Sequence, residues 1–438
     1  MKKTRLTLFV LLMLLLIFPA VQRITGLIPE KPLKGAITLP EKPPLNLKSW
    51  FDGSFQSKFD PYLEQTVGFR ASLIRINNQL AFTLFDTALA NGVVIGKQNY
   101  LYEINYIKAF EGTDFVGRDS IDHQVAKAKF MQQKLAESGK HFLIVFAPGK
   151  GSFYPEYIPE RYQLKHRGMT NYDYYVRRFR EEGIHFIDFN RWFIQMKDSC
   201  RYPLITRAGI HWSLYGVALA VDSLVHYMEK TAGINMVDFS WDGMEVSSKP
   251  RETDNDIAEG MNVLFPVRSG PLAYPRLRFN DPPEKARPNV LAMGDSYYWN
   301  ILGSGISARL FGDNNFWYYN QEAHNPSWPA PREVKSLNIL DEISRQQFVI
   351  LISTDANLAR FPFGFLDDYM KASLGKAQVK PEDSPQKEKR ILEIIKAIRD
   401  TKDWAASIKQ KAVAKGISFE EMLRLDAEWV YEQENKKK

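Results

Sequence analysis

A single cysteine, Cys200, supplies all the thiol chemistry available to this chain of 438 residues. Without a second one, an intramolecular disulfide, a CxxC redox pair and a multi-cysteine zinc ribbon are excluded. Charge of one sign is scarce too. The 58 lysines and arginines against 51 aspartates and glutamates leave a surplus of only +7. Spread over this length, that is not the concentrated basic patch that nucleic acid requires, so no such partner is expected. Histidines at zinc-ligand spacing are missing, and neither metal nor cofactor is expected. Gly149-Lys150-Gly151-Ser152 is not a P-loop, because position 144 is isoleucine where a glycine is needed and position 151 is glycine where a hydroxyl should hold magnesium. Long hydrophobic runs are lacking, with one exception.

That exception opens the chain. Lys2, Lys3 and Arg5 precede an apolar run from Leu6 to Val21, interrupted only by Thr7 and Pro19. As a helix the run measures about 24 Å at ~1.5 Å per residue, between a secretory h-region and a span of about 20 residues. No small-x-small cleavage site follows it, so residues 1–24 are expected to remain as a signal anchor, basic end in the cytoplasm and body exported. Residues 25–46 carry prolines 29, 32, 40, 43 and 44 and form either an extended, semi-rigid tether or an arm wrapped on the body. In an exported, oxidising setting the unpaired Cys200 is expected to be protected by burial.

From 47 to 375 the pattern is that of an α/β body. Apolar residues at helical spacing (Leu73, Ile76, Leu80) are followed by a hairpin-like stretch, Val93 to Tyr102. A helix is expected from Ser120 to Ser138 before a buried strand, His141 to Phe146. A second unit repeats the order, with a helix over Asn171–Glu182, Gly183 as its stop, and a strand over Ile184–Phe189. Another helix follows from Ser213, and further buried strands over Asn289–Met293 and Phe348–Ser353. Such alternation argues for a parallel sheet with helices on both faces. Residues 376–438 form a helical tail. Ile391, Ile394, Ile395 and Ile398 make one apolar stripe, and Ser418 with Glu421 is a capping box for a last helix bearing Met422, Leu425 and Trp429.

The sharpest chemical signal is Val290 to Ser296, a buried strand running into the tight triplet Gly294-Asp295-Ser296. Ligands of doubly wound sheets sit beyond the carboxyl ends of strands, which makes Ser296 either a nucleophile or a helix N-cap. A serine needs a base to take its proton. Of seven histidines, His211 stands in a loop just before a helix and is the first candidate; His324 is the second. The aromatic clusters Tyr297-Tyr298-Trp299, beside Ser296, and Phe316-Trp317-Tyr318-Tyr319 are candidate surfaces for stacking on sugars or, equally, core.

Four short motifs in order carry a resemblance: Gly68-Phe69-Arg70, Ala147-Pro148-Gly149-Lys150 with Tyr154-Pro155, His211-Trp212-Ser213, and Gly294-Asp295-Ser296. Over roughly Leu45 to Lys371 the chain resembles the SGNH hydrolase-like domain of the AlgX and AlgJ alginate O-acetyltransferase family. The resemblance implies an SGNH-hydrolase-like, flavodoxin-like α/β fold, Ser296 as nucleophile and His211 as base. The N–H groups near Gly294 and Ser296 are the expected oxyanion donors, and Lys150, Tyr154, Tyr298 and Trp299 the expected substrate-binding residues. It also implies a polysaccharide acceptor, a membrane-bound acyltransferase as acetyl source, and a place at the bacterial inner membrane with the body facing the periplasm. One departure stands out. The family pattern has an aspartate two residues before the histidine, and this chain has Gly209. Asp355, just past the strand Phe348–Ser353, is the expected substitute, with Asp254 and Asp256 as alternatives. If none serves, the chain is a catalytically weak scaffold for polysaccharide or acyltransferase. With water as acceptor it is an acetylesterase. An aspartate restored at 209 is expected to raise activity unless orientation comes from elsewhere.

Overall fold

Alternate residues of the central apolar segments point to opposite sides of one sheet. Leu143, Val145, Ala292, Ile350 and Ile352 belong to one core, and Phe142, Ile144, Leu291, Met293 and Leu351 to another. This is the period-two alternation of strands buried on both faces. The computed structural model describes residues 2–35, 39–375, 385–415 and 419–436, in two compact units, Met1–Ala372 and Ser373–Lys438.

In chain order the strands are β1 (Val93–Ile95), β2 (Leu101–Glu103), β3 (His141–Ala147), β4 (Phe186–Asp188), β5 (Asp238–Ser247), β6 (Leu272–Asn280), β7 (Val290–Gly294), β8 (Asn314–Tyr318), β9 (Glu322–His324), β10 (Arg332–Glu333) and β11 (Phe348–Thr354). The main sheet has the order β10-β9-β8-β7-β11-β3-β4. Its five strands from β8 to β4 are parallel, while β9 and β10 extend it antiparallel. One face carries the helices Phe189–Met196, Leu214–Ala232 and Tyr297–Gly303. The other carries Arg118–Glu137, Asn171–Glu182 and Phe365–Gly375. The fold is therefore of the expected α/β class, with a mostly parallel sheet between two helical layers.

The expected parallel sheet is present, with β9 and β10 added antiparallel at one edge. One expectation needs correction: the strand expected over Ile184–Phe189 pairs only over Phe186–Asp188. Asp188 ends it by accepting the Arg191 N–H at 2.9 Å, which caps the helix Phe189–Met196.

At the amino end, the helix α1 (Lys2–Thr25) runs on through Pro19 and is long and apolar enough to cross a bilayer. Three helices follow, α2 (Leu47–Phe51), α3 (Ser54–Thr66) and α4 (Arg70–Phe85). The last turns of α1 pack on the α3–α4 corner. Phe18 stacks on Phe69 with centroids 5.0 Å apart, and the Arg23 guanidinium lies 5.0 Å from the Tyr62 ring and bonds Thr66. Gly68 is required there, because a Cβ would strike the Pro19 carbonyl. The Gly68-Phe69 motif thus receives α1.

The proline-rich stretch is a docked arm rather than a free tether over residues 30–35. Glu30 accepts from the Ser72 N–H (2.9 Å) and hydroxyl (2.6 Å), and Arg75 donates to the Pro32 carbonyl (2.8 Å). The Asn262 amide grips Lys34 by both backbone groups, at 2.8 and 2.9 Å, while Lys34 Nζ pairs with Glu259 at 3.3 Å. Cys200 is half-buried against the first core, and that burial raises its thiol pKa.

The tail unit has its own core. Ile394 and Ile398 of the stripe are buried with Ile408, Ala412, Met422, Leu423 and Ala427 from the helices Pro385–Asp400, Lys402–Lys415 and Phe419–Lys436. Leu425 and Trp429 are exposed. Ser418 lies outside the described residues, as does the Ile391 side chain.

Candidate active site

Strand β7 is buried along its whole length and delivers Gly294 to the middle of the sheet. A Cβ on Gly294 would collide with the Ile352 carbonyl of β11, so only glycine lets the two strand ends meet here. Asp295 is fully buried and acts as a staple. Its Oδ2 accepts from Thr354 N (2.8 Å), Thr354 Oγ1 (3.0 Å) and Asn357 Nδ2 (2.9 Å), and its Oδ1 from Tyr297 N (3.1 Å). Four hydrogen bonds thereby lock the turn that presents Ser296. That serine is the first residue before the helix Tyr297–Gly303, but its hydroxyl makes no capping bond. It lies 2.9 Å from His211 Nε2 instead.

His211 sits in a loop held from several sides. Ile205 and Trp212 form a bridge, and Ser213 caps the helix Leu214–Ala232 by accepting from Gly216 N at 3.1 Å. The Tyr297 hydroxyl donates to the Ile210 carbonyl at 2.6 Å, tying the Ser296 helix to the His211 loop. On the far side of the imidazole, Asp256 Oδ2 is 2.5 Å from Nδ1. Its Oδ1 accepts from Ile210 N (2.9 Å) and Ile257 N (2.7 Å), so the carboxylate is fixed by backbone. A carboxylate accepts only, which puts the ring proton on Nδ1 and leaves the Nε2 lone pair toward Ser296.

Gly209 explains why the acid comes from so far along the chain. A Cβ there would lie 2.6 Å from the Thr253 carbonyl oxygen and 2.7 Å from that of Asp254. The segment 253–256 runs directly across the glycine, and Ala258 N bonds the Ala208 carbonyl at 3.0 Å. The space that an aspartate at 209 would fill is occupied by the backbone that delivers Asp256.

The expected substitute, Asp355, does not serve. It accepts a hydrogen bond from Ser152 and packs against Gly149, and burial raises its carboxyl pKa to about 7. Asp254 is engaged with Tyr274 (2.6 Å) and Arg251 N (2.8 Å). Lys150 is not a substrate contact either. It is fully buried, its Nζ donates to the carbonyls of Arg207 (2.9 Å) and Gly209 (2.5 Å), and burial lowers its pKa to about 7. Charged or neutral, the amine has at least two N–H donors for those two carbonyls, so Lys150 secures the loop two residues before His211.

Tyr154 donates to the Ile205 carbonyl at 3.2 Å and Tyr298 to Asn314 at 2.9 Å; both are turned into the protein. Trp299 is half-buried, edge-on to Phe316 and to His324; Ser296 Oγ is bonded by His211 and not by His324, whose Nε2 faces Glu322 at 3.3 Å. Of the expected oxyanion donors, Gly294 is buried within the sheet, paired to Ile352 and Tyr318. The Ser296 N–H has no acceptor among the described residues.

Ser296, His211 and Asp256 open into a cavity of about 650 Å³, whose walls include Glu103, Asn105, Tyr318, Tyr319 and Arg360, with Gly35 of the arm at its rim. Tyr318 and Tyr319 belong to an aromatic run that the sequence offered as a sugar-binding surface, whereas Glu103, Asn105, Arg360 and Gly35 carried no local signal, because they come from β2, the helix Ile104–Glu111, the loop beyond β11 and the arm. A second cavity of about 600 Å³, lined by Arg177, Arg180 and Arg191 among acids, has no serine, cysteine or histidine in its lining.

Several solved structures share features of this architecture. The O-acetyltransferase domain of Pseudomonas putida AlgJ is 17% identical, over 61% of this chain and 92% of that one, with a TM-score of 0.41. Bacillus cereus PatB1, in a structure with a sulfonyl adduct, is 11% identical over 57% and 93%, with a TM-score of 0.39. Pseudomonas aeruginosa AlgX is 13% identical over 63% and 66%, with a TM-score of 0.37. No curated protein matches the sequence. Residues 93–250 match a family described as "SGNH hydrolase-like domain, acetyltransferase AlgX". That segment runs from the β1–β2 hairpin past Lys150 and His211, while Asp256 and Ser296 lie beyond it. Through residues 93–250, therefore, the α/β body is similar to the SGNH hydrolase-like domain of the AlgX acetyltransferase family.

Proposed function

We propose that this chain is a membrane-anchored, extracytoplasmic acyltransferase that O-acetylates a polysaccharide through Ser296, His211 and Asp256. The observation that carries the reading is the continuous relay from Ser296 Oγ to His211 Nε2 (2.9 Å) and from Nδ1 to Asp256 (2.5 Å), opening on a cleft. The family match and the apolar helix α1 support the acetyl chemistry and the location.

In the first half-reaction His211 Nε2 takes the Ser296 proton as Oγ bonds the acetyl carbonyl carbon, and Asp256 stabilises the imidazolium. The Ser296 N–H faces the developing oxyanion. Asn105, on the cleft wall with a side-chain amide that makes no hydrogen bond among the described residues, is the second donor. The imidazolium then protonates the leaving group, and acetyl-serine remains. In the second half, a sugar hydroxyl gives its proton to Nε2 and attacks the ester, and Oγ departs and recovers its proton. The acetyl source is a membrane-bound acyltransferase, and the domain limits are 1–24, 25–46, 47–375 and 376–438. Gly209, the feature that favoured an inactive scaffold, has its compensation in Asp256.

The test is turnover of a chromogenic acetyl ester by the full chain, with and without Ser296→Ala. A loss of at least ~10³-fold is expected, together with an acetyl adduct on Ser296 by mass spectrometry. Equal rates for the two proteins would sink the enzyme reading. Adding polysaccharide acceptors separates transfer from plain ester hydrolysis.

A further inference from the structure

The helices α2–α4 contain no buried residue, although they are rich in large apolar side chains. Phe51 is 82% exposed, Leu47 79%, Phe85 73% and Leu80 52%. On α4 the exposed residues Leu73, Ile76, Leu80 and Leu84 recur on one face. The opposite face meets the body through polar and mixed contacts. Asn78 donates to the Met261 carbonyl at 2.8 Å, Gln79 accepts from Phe265 N at 2.9 Å, and Phe82 packs on the first core. A soluble surface helix turns its apolar stripe inward; α4 turns its stripe out. Scattered exposed leucines need no explanation, but a continuous set on three successive helices marks an interaction surface.

We propose that this outward face lies in the interfacial layer of a lipid bilayer, so that the body rests on the membrane through a helical collar as well as through α1. The inference rests on the reading that α1 lies in the bilayer. Lipid is favoured as the occupant for two reasons. The face is continuous with α1, whose last turns contact it through the Phe18–Phe69 stack and the Gly68–Pro19 approach. An aromatic series also runs along its edge, from Trp50 to Phe55 (6.0 Å), Phe59 (5.0 Å) and Tyr62 (6.0 Å). The exposed Lys48 and Lys58 stand among these rings. Amphipathic rings and basic side chains at the exit of an apolar helix are the chemistry of the headgroup level.

Because Cys200 is the only thiol, Cys200→Ser gives a background for single-cysteine labelling of the full chain. An environment-sensitive fluorophore is placed by Leu47→Cys, Leu80→Cys, Leu12→Cys within α1, or Glu137→Cys on the exposed end of the helix Arg118–Glu137. Each protein is reconstituted in vesicles of phosphatidylethanolamine and phosphatidylglycerol, with lipids spin-labelled near the top of the acyl chain or deep within it. Quenching at 47 and 80 by the shallow label, several-fold above that at 137, is the expected result. Quenching at 12 without quenching at 47 and 80 overturns the collar while sparing the anchor, and assigns the face to a second copy or a protein partner. No quenching at 12 overturns anchor and collar together.

Discussion

At position 209 a missing side chain decides which acid serves the histidine. Gly209→Asp, which family likeness alone would recommend, is expected to lower both turnover and melting temperature, because its Cβ must displace the Thr253 and Asp254 carbonyls and with them Asp256. Ester kinetics and a thermal melt check this; a gain in turnover with the melt unchanged would contradict it. Asp256→Asn is expected to cost ~10⁴ in kcat, the scale seen when a triad loses its orienting carboxylate, whereas Asp355→Asn retains most turnover. Asn105→Ala is expected to lower kcat by ~10²-fold with little change in KM, as for loss of one oxyanion donor. Ser296 and His211 were legible in the sequence because each has a local signature, a buried strand ending in a tight turn and a loop just before a helix. Asp256 has none. It stands 45 residues from its partner, and only tertiary packing selects it over Asp254 and Asp355. Lys150 was misread for a related reason: a charged side chain reads as exposed, and only the loop carbonyls of Arg207 and Gly209 make its burial tolerable.

Among the elements, the buried strands β3, β7 and β11 were legible as short apolar runs. The strand β8, Asn314-Asn315-Phe316-Trp317-Tyr318, was not, since two asparagines disguise its start, and β4 was cut short by its own capping aspartate. Where β11 ends, Asp355 meets the short helix Lys150–Phe153 through Ser152. Burial raises this carboxyl from the ordinary 3.8 to about 7. The folded state then binds a proton that the unfolded chain has released, so its contribution to stability is present below pH ~4 and is lost as pH rises toward ~7. The melting temperature measured across that window is expected to carry a falling component that Asp355→Asn abolishes; an unchanged profile in the variant would refute it. The five-residue helix Asp256–Gly260 is too short to hold itself in place. Its support comes from outside, through Glu259 and the adjoining Asn262, both of which grip the arm at Lys34.

For the whole molecule, the tail's separate core predicts separate stability. Ile398→Asp puts a charge among Ile394, Ile408 and Leu423, at a cost of several kcal/mol, about what an unpaired buried charge exacts. Limited proteolysis should then open the tail while ester turnover by the body stays unchanged; a parallel loss of turnover would show that the two units depend on each other. The tail was legible as helical over its described residues, 385–415 and 419–436, but not as a unit closed upon itself, because a stripe of isoleucines does not say what it meets. The arm has the widest reach of these features. From Thr25 at the end of α1 to Gly35 at the rim of the cleft the chain takes ten residue steps, at most about 36 Å when fully drawn out. If the proposed function holds with α1 in the bilayer, Ser296 works on a short leash: acetyl groups would be handed over close to the lipid surface, and a polymer would be modified as it emerges there rather than out in free solution.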